Sequence, residues 1–133
     1  MYPAPGTPVL VWVGPIRHVG VVSDRWWGKA PMVISHSRRR GGTFEEPWAA
    51  FAGSATVYPA RLGSRLPTWA ILARARSWIG ARNWNLMQNC EHHVRYALGL
   101  EAKSPQLRGA IVALGALLAI VLAGRGRDAE RRT

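Results

Sequence analysis

The chain has 133 residues, enough for one domain of ordinary size with a short appendage. Hydrophobic residues make up 48% of it and no internal repeat is present, which excludes an intrinsically disordered protein, a collagen and a solenoid. A single cysteine excludes an intramolecular disulfide and a zinc site built on several thiolates. The net charge of +11 indicates a partner that carries phosphate, either nucleic acid or anionic lipid.

The first part of the chain is predicted to be mainly β-strand. Residues Val9–Val13 and Ile16–Ser23 are expected to form two strands, separated by a Gly-Pro turn. A second turn is expected over Asp24–Gly28, followed by a short strand over Met32–Ser35.

A basic loop over Arg38–Gly42 follows these strands. Thr43 and Glu46 have the spacing of a capping box, which predicts a short helix that runs to Phe51. A further strand is expected over Ala55–Tyr58.

Hydrophobic residues at helical spacing predict a helix that is capped by Thr68 and ended by Gly80. Its buried face is expected to contain Ile71, Leu72, Ala75, Trp78 and Ile79.

A second helix is predicted over Cys90–Leu98, with Asn89 as its N-cap and Gly99 after its end. On this helix we expect an ion pair between Glu91 and Arg95 at i, i+4 spacing. Its buried face is expected to contain Cys90, Val94, Ala97 and Leu98. Strands followed by helices indicate the α+β class, with a small antiparallel sheet packed against helices.

The C-terminal part of the chain contains an apolar segment of 16 residues, 109–124. As a helix this segment would be about 24 Å long, and arginines that snorkel at its ends bring it close to the ~30 Å of a bilayer core. We therefore expect a hydrophobic helix over residues 108–124 that acts as a membrane anchor. The alternative is a helix buried in the domain or in an oligomer.

The ends of the apolar segment set the boundaries of the domain before it and of the tail after it. Residues 1–107 are expected to form the functional domain, and residues 125–133 a basic tail. No secretory signal is expected at Met1–Pro8, because no basic region precedes a long apolar core. We therefore expect a membrane-associated protein whose domain is cytoplasmic, from a bacterium with a GC-rich genome to judge by the preference for arginine over lysine.

Cys90 is placed in the first turn of a predicted helix, where the helix dipole favours a thiolate. His18 and His36 lie upstream on or beside strands, so that one imidazole can act as a base and the other can orient it. His93 is three residues from Cys90 and is within possible reach of it, whereas His92 points to another face. A structural cysteine with structural histidines is the alternative, and a zinc site is weakly supported because the histidines lack ligand spacing.

The segment Asn89–His92 resembles the Asn-Cys-Glu-His signature of the lecithin:retinol acyltransferase family, which belongs to the permuted NlpC-like papain superfamily. His18–Val21 and Val33–His36 are similar to the two histidine strands of that family. Ser104–Leu107 is similar to the stretch after the nucleophile helix, so the resemblance covers most of residues 9–107.

The resemblance implies a permuted papain-like domain, with Cys90 as nucleophile, His18 as base and His36 as the third polar residue. Asn89, Glu91 and His92 complete the signature. Several relatives also carry a hydrophobic C-terminal anchor.

The sequence departs from the family pattern at several positions. His93 replaces the aromatic residue that usually follows the signature, and Val19 and Val22 replace an aromatic residue and a tyrosine. The interval between the two histidines is also longer, which implies an extended hairpin around Arg25–Trp27.

We therefore expect thiol-dependent acyl transfer or hydrolysis on phospholipid esters, through a thioester on the cysteine and without a cofactor or metal. The expected partners are a phospholipid membrane, an acyl-lipid substrate and an acyl acceptor. Nucleic acid is disfavoured and no protein partner can be inferred. The residues expected in the lipid headgroup region are Arg38, Arg39, Arg40, Trp26 and Trp27.

Two other functions are compatible with the same residues. A cysteine amidase or peptidase of cell-wall peptides would use the same Cys-His chemistry, although no export signal is expected. A non-catalytic basic membrane-binding module would need only the charge and the apolar segment.

Overall fold

The computed structural model describes residues 1–85, 89–101 and 105–130, and it divides into two compact units, Met1–Lys103 and Ser104–Thr133. The strands are β1 (Pro8–Val13), β2 (Ile16–Trp27), β3 (Ala30–Ser37), β4 (Gly42–Pro47) and β5 (Tyr58–Pro59). The helices are α1 (Trp48–Ala52), α2 (Thr68–Arg76), α3 (Cys90–Ala97) and α4 (Pro105–Glu130).

The five strands of the first unit form one antiparallel sheet in the order β4-β3-β2-β1-β5. This confirms the predicted α+β class and the small antiparallel sheet. Side chains alternate between the two faces of the sheet, and each face is covered by a different set of helices.

The face packed against α2 and α3, here called the α3 face, carries the larger core cluster. Its buried residues are Val19, Val21, Ile34, Ile71, Leu72, Ala75, Val94, Ala97 and Leu98. The opposite face, here called the α1 face, carries a second cluster formed by Val9, Val11, Val22, Val33 and Phe51.

The turn predicted over Asp24–Gly28 is wrong, because β2 continues as a strand to Trp27. Ion pairs hold this extension in place: the guanidinium of Arg76 bonds the carboxylates of Asp24 and Glu45. The chain reverses at Gly28, whose φ of 62° suits a residue without a side chain.

The capping box predicted at Thr43 and Glu46 is also wrong, because both residues lie in β4. β4 pairs with β3 from Met32 to Ser37, and these contacts outweigh the local preference for a helix start. The short helix begins later, at Trp48. The strand predicted over Ala55–Tyr58 is reduced to a two-residue pairing at Tyr58–Pro59.

The predicted helices are largely confirmed. α2 begins at Thr68, although Pro67 stands at its N-cap and no side chain caps it, and it ends at Arg76 rather than Gly80. Trp78 is buried just beyond its end, whereas Ile79 is exposed. α3 has the predicted N-cap, Asn89.

α4 is a single helix over Pro105–Glu130. It begins before the predicted 108–124 helix and continues through residues 125–130 of the predicted basic tail, while residues 131–133 of that tail lie outside the described residues. In the part of the chain that the structure describes, we find no helix with the length and apolar character needed to cross a bilayer.

Candidate active site

The register of the sheet places His18 and His36 on opposite faces. A two-residue turn joins β2 to β3. Each residue of β2 therefore lies opposite a residue of β3 whose number has the other parity, as in Gly20↔Ser35 and Trp27↔Ala30. Two even-numbered residues of these strands therefore point to opposite sides. The predicted pair of neighbouring imidazoles is not formed.

Side-chain contacts agree with this assignment. The ring of His18 lies 5.2 Å from the ring of Phe51 on the α1 face. The ring of His36 lies 5.3 Å from the indole of Trp78, on the side of the sheet that carries α2 and α3. Cys90 packs against the core of the α3 face, so it shares a side with His36 and not with His18.

Asn89 fixes the start of the helix that carries the thiol. Its Oδ1 accepts hydrogen bonds from the backbone N–H groups of Glu91 at 3.0 Å and His92 at 3.2 Å. These two donors are therefore satisfied by the cap and do not point to an oxyanion in this structure.

The Cys90 thiol lies against the backbone of β2. Its Sγ is 3.8 Å from the carbonyl oxygen of Arg17, and it is also near the backbone N–H of Val19. Burial raises the pKa of Cys90, and the charge of Glu91 raises it further, whereas the backbone N–H groups act in the opposite direction. The thiol is therefore protonated at neutral pH in this structure, whereas the helix position alone predicted a thiolate.

An ion pair stands directly beside the thiol. The Arg17 guanidinium donates to Glu91 Oε1 at 2.8 Å, and the carboxylate is buried. This ion pair joins β2 to α3 next to Cys90. The sequence predicted Arg95 as the partner of Glu91, and this was wrong: Arg95 Nε instead donates to the carbonyl oxygen of Glu101 at 2.7 Å.

His18 belongs to a polar cluster on the α1 face. Ser35 Oγ donates to Glu46 Oε1 at 3.0 Å, and Arg40 pairs with the other carboxylate oxygen at 3.4 Å. Burial lowers the pKa of His18, while the nearby charge of Glu46 partly opposes this effect. The lowered pKa favours a neutral imidazole, the form that can accept a proton.

His36 and His93 form a second, fully buried group on the α3 face. His36 Nδ1 is 2.8 Å from Thr43 Oγ1, and the rings of His36 and His93 are 6.1 Å apart. His93 Nε2 donates to the carbonyl oxygen of Ala75 at 2.9 Å, which ties α3 to α2. Burial lowers the pKa of His93 to about 4.

The sequence did not predict this hydrogen bond between His93 and Ala75, since it indicated a contact between His93 and the thiol. Its position four residues before Ala97, on the buried face of the helix, was the available signal. His92 is half-buried, and burial lowers the pKa of its imidazole.

The residues expected in the headgroup region do not form one surface. Trp26 and Trp27 are exposed beside the β2–β3 turn, whereas Arg38–Arg40 occupy the β3–β4 turn. These turns lie at opposite ends of β3, which has 8 residues and separates them by about 26 Å. Arg40 is further held by Glu46 and lies 3.8 Å above the ring of Phe44.

A polar cavity of about 510 Å³ opens beside the end of α2, and Cys90 does not line it. Its lining residues are Ser77, Trp78, Ala81, Arg82, Asn83, Asn85 and Tyr96. Among the described residues, no three His, Cys, Asp or Glu side chains lie close enough together to hold a metal ion.

Comparison with known proteins assigns no family to this geometry. No protein-family model matches the chain, and no curated protein matches it. The site residues and their contacts are therefore the basis for a functional proposal.

Proposed function

We propose that the chain is a thiol-dependent enzyme that transfers or hydrolyses acyl groups of phospholipid esters, in a domain of the permuted papain-like type. The observation that carries this proposal is the setting of Cys90. It is the first residue of a helix capped by Asn89, and its sulfur lies against the backbone of β2 at Arg17, the residue before His18 in the chain. A nucleophilic cysteine and its base need to be carried on two elements that contact each other in this way.

In the proposed reaction an imidazole accepts the proton of the Cys90 thiol. The sulfur then attacks the acyl carbonyl, a thioester forms, and the ester C–O bond breaks. The imidazolium gives its proton to the departing lysophospholipid oxygen. Water or an alcohol or amine acceptor then attacks the thioester, which releases a fatty acid or an acylated product and restores the thiol.

His18 is the proposed base, and its position has to change during the reaction. Its ring faces the α1 side, and it makes no hydrogen bond with Cys90 in the described structure. The pairing of β2 with β3 begins only at Gly20, so within the sheet residues 17–19 pair with β1, while the Arg17 side chain is bonded to Glu91 of α3. In the proposal this segment shifts when substrate binds. Catalytic hydrogen bonds commonly tighten only in the substrate complex.

A lipid ester is favoured as substrate by the surface of the chain. The protein carries a net charge of +11, which suits anionic headgroups. Large apolar side chains are exposed on its strands and turns, among them Trp12, Trp26 and Trp27. Exposed aromatic side chains on a basic protein are typical of binding at a membrane interface. A cytoplasmic location at the membrane, with α4 in contact with the bilayer, is part of the proposal.

The test is to incubate the full chain and its Cys90→Ala variant with vesicles of phosphatidylcholine and phosphatidylethanolamine. Mass spectrometry follows lysophospholipid release and the mass of an acyl group added to the protein. We expect an adduct on the native chain that is absent from the variant, and the ratio of products then separates hydrolysis from transfer. Matching circular dichroism spectra serve as the control for folding.

A second candidate, a non-catalytic membrane-binding module, is favoured by the protonated thiol and the separated imidazoles. It predicts vesicle binding with neither adduct nor lysophospholipid at any pH. If the chain forms an adduct with a peptide amide and not with a lipid ester, the amidase alternative replaces both.

A further inference from the structure

We propose that one end of the sheet is the surface that binds an anionic phospholipid membrane. This surface, the docking end, consists of the β1–β2 turn with its neighbours, Trp12–Ile16, and of Arg38 and Arg39 in the β3–β4 turn. The inference rests on the proposed function, because it assigns where a phospholipid substrate would approach Cys90.

The β1–β2 turn presents an apolar tip. Trp12, Val13 and Ile16 are 51%, 62% and 53% exposed, and Gly14 and Pro15 between them are exposed as well. Trp12, Val13 and Ile16 belong to the last two residue pairs of the β1–β2 hairpin, where Val13 and Ile16 share one face and Trp12 lies on the other. An exposed group of Trp, Val and Ile is favourable in the interfacial region of a bilayer and unfavourable in water.

The two turns lie at the same end of the sheet. Because β2 and β3 are antiparallel, the start of β2 lies beside the end of β3, where the β3–β4 turn begins. The Arg39 guanidinium is close enough to His18 on β2 to help lower the pKa of that imidazole, which agrees with this placement. The apolar tip and the arginines are therefore parts of one surface.

The charges at the docking end are available for phosphate. Neither Arg38 nor Arg39 forms an ion pair with a carboxylate among the described residues, and both are exposed. The guanidinium of Arg38 lies 5.4 Å from the ring centre of Trp84, which leaves its charge uncompensated.

The other end of the sheet differs in this respect. Trp26 and Trp27 are exposed there too, but the nearby cations Arg25 and Arg76 are paired with Asp24 and Glu45, which leaves Lys29 as the remaining cation of that turn. Of the two ends of the sheet, as far as its described residues go, the docking end is therefore the one that combines exposed apolar side chains with more than one uncompensated charge. Charge complementarity selects an anionic bilayer as the occupant.

The proposed nucleophile lies beside the docking end. Cys90 Sγ lies 3.8 Å from the carbonyl of Arg17, which follows the tip residue Ile16. A lipid whose headgroup rests on Arg38 and Arg39 would therefore present its ester bonds near the thiol.

The experiment measures depth of insertion at two chosen positions, because an apolar helix such as α4 can bind a bilayer by itself. Val13→Cys and, as the matched control at the opposite end, Trp27→Cys are each made in the full chain carrying Cys90→Ala, and each is labelled with an environment-sensitive fluorophore. Vesicles contain phosphatidylcholine with or without phosphatidylglycerol, and spin-labelled lipids serve as quenchers.

We expect the label at position 13 to shift its emission to shorter wavelength and to be quenched, and the label at position 27 to stay in water. Exchanging Arg38 and Arg39 for Gln should lower partition into anionic vesicles roughly 25-fold, since each cation near such a surface contributes about a fivefold gain. Partition into neutral vesicles should be unchanged.

Insertion of the label at position 27 alone, or of neither label, would overturn the docking end. So would a double arginine variant that binds vesicles normally but loses affinity for an oligonucleotide. These outcomes are independent of the acyl-adduct measurement: a missing adduct refutes the proposed enzyme, whereas a reversed label pattern refutes only the docking surface.

Discussion

The carboxylate of Glu91 accepts a hydrogen bond from the Arg17 guanidinium at 2.8 Å, and this ion pair joins β2 to α3 next to the thiol of Cys90. Arg17 precedes the proposed base in the chain, and Glu91 follows the nucleophile. The pair therefore links the two elements that the proposed reaction requires, and its negative member is close enough to affect the sulfur electrostatically.

Replacing Glu91 by Gln should have two measurable effects. Loss of the charge removes the ion pair with Arg17, whose side chain is 35% exposed, and should lower the free energy of unfolding by about 1–2 kcal/mol. The same change removes a negative charge that raises the pKa of Cys90, so alkylation of the thiol at neutral pH should become faster. Urea unfolding and the rate of reaction with iodoacetamide measure these effects.

Arg95→Gln is the matched control, because Arg95 is the partner that helix spacing alone predicts for Glu91. In the structure Arg95 bonds a backbone carbonyl instead, so this variant should alkylate at the native rate. A slower rate for Arg95→Gln, which is expected if Arg95 balances the charge of Glu91, would contradict the observed pairing.

Replacing Asn89 by Ala should lower the free energy of unfolding by about 1 kcal/mol, because the N–H groups of Glu91 and His92 lose their acceptor. Asn89→Asp keeps an oxygen at the same position and should restore most of the stability. Equal stability of the Ala and Asp variants would show that the cap contributes little.

The elements that sequence predicted best are those with local signals at their ends. The Asn89 cap and the Gly-Pro turn after β1 act over a few residues, and both are found in the structure. The errors at Asp24–Gly28 and at Thr43 have a different origin: ion pairs to α2 and hydrogen-bonded pairing with β3, respectively, override the local preference.

The arrangement of the site residues was predicted less well than the fold, because the sequence does not show which face of the sheet each histidine occupies. Cys90, His18 and His36 were each assigned to the right kind of element, but the face of each histidine depends on the turn between their strands. The two-residue turn at Gly28 and Lys29 was not the one expected from the sequence. The register shift between Val22 and Trp26 moves the pairing of β2 with β3 by two residues. It therefore does not change which side chains of the two strands share a face.

The role of His18 can be tested separately from the nucleophile. If its imidazole removes the thiol proton during the reaction, His18→Gln should slow formation of the acyl adduct at least about a hundredfold, the usual contribution of a general base. The ring is half-buried, so the variant should remain folded, and thermal unfolding serves as the control. A native rate of adduct formation would exclude His18 and would direct attention to His36, the imidazole on the Cys90 side of the sheet.

Stability should fall as the pH is lowered below neutral, because His93 is buried in its neutral form. Its pKa is about 4 in the folded chain, against 6.5 for the unperturbed group, so the unfolded chain binds more protons between these values. The contribution of His93 is therefore complete above about pH 6.5 and is lost as the pH falls toward 4, a change of about 3 kcal/mol.

His93→Gln tests this prediction, since its side-chain amide can still donate to the carbonyl oxygen of Ala75 but does not titrate. Urea unfolding at a series of pH values should give a shallower decrease for the variant than for the native chain. Burial also lowers the pKa values of His18 and His92, so a smaller slope will remain. Parallel curves for the two proteins would show that His93 is not the group that links stability to pH.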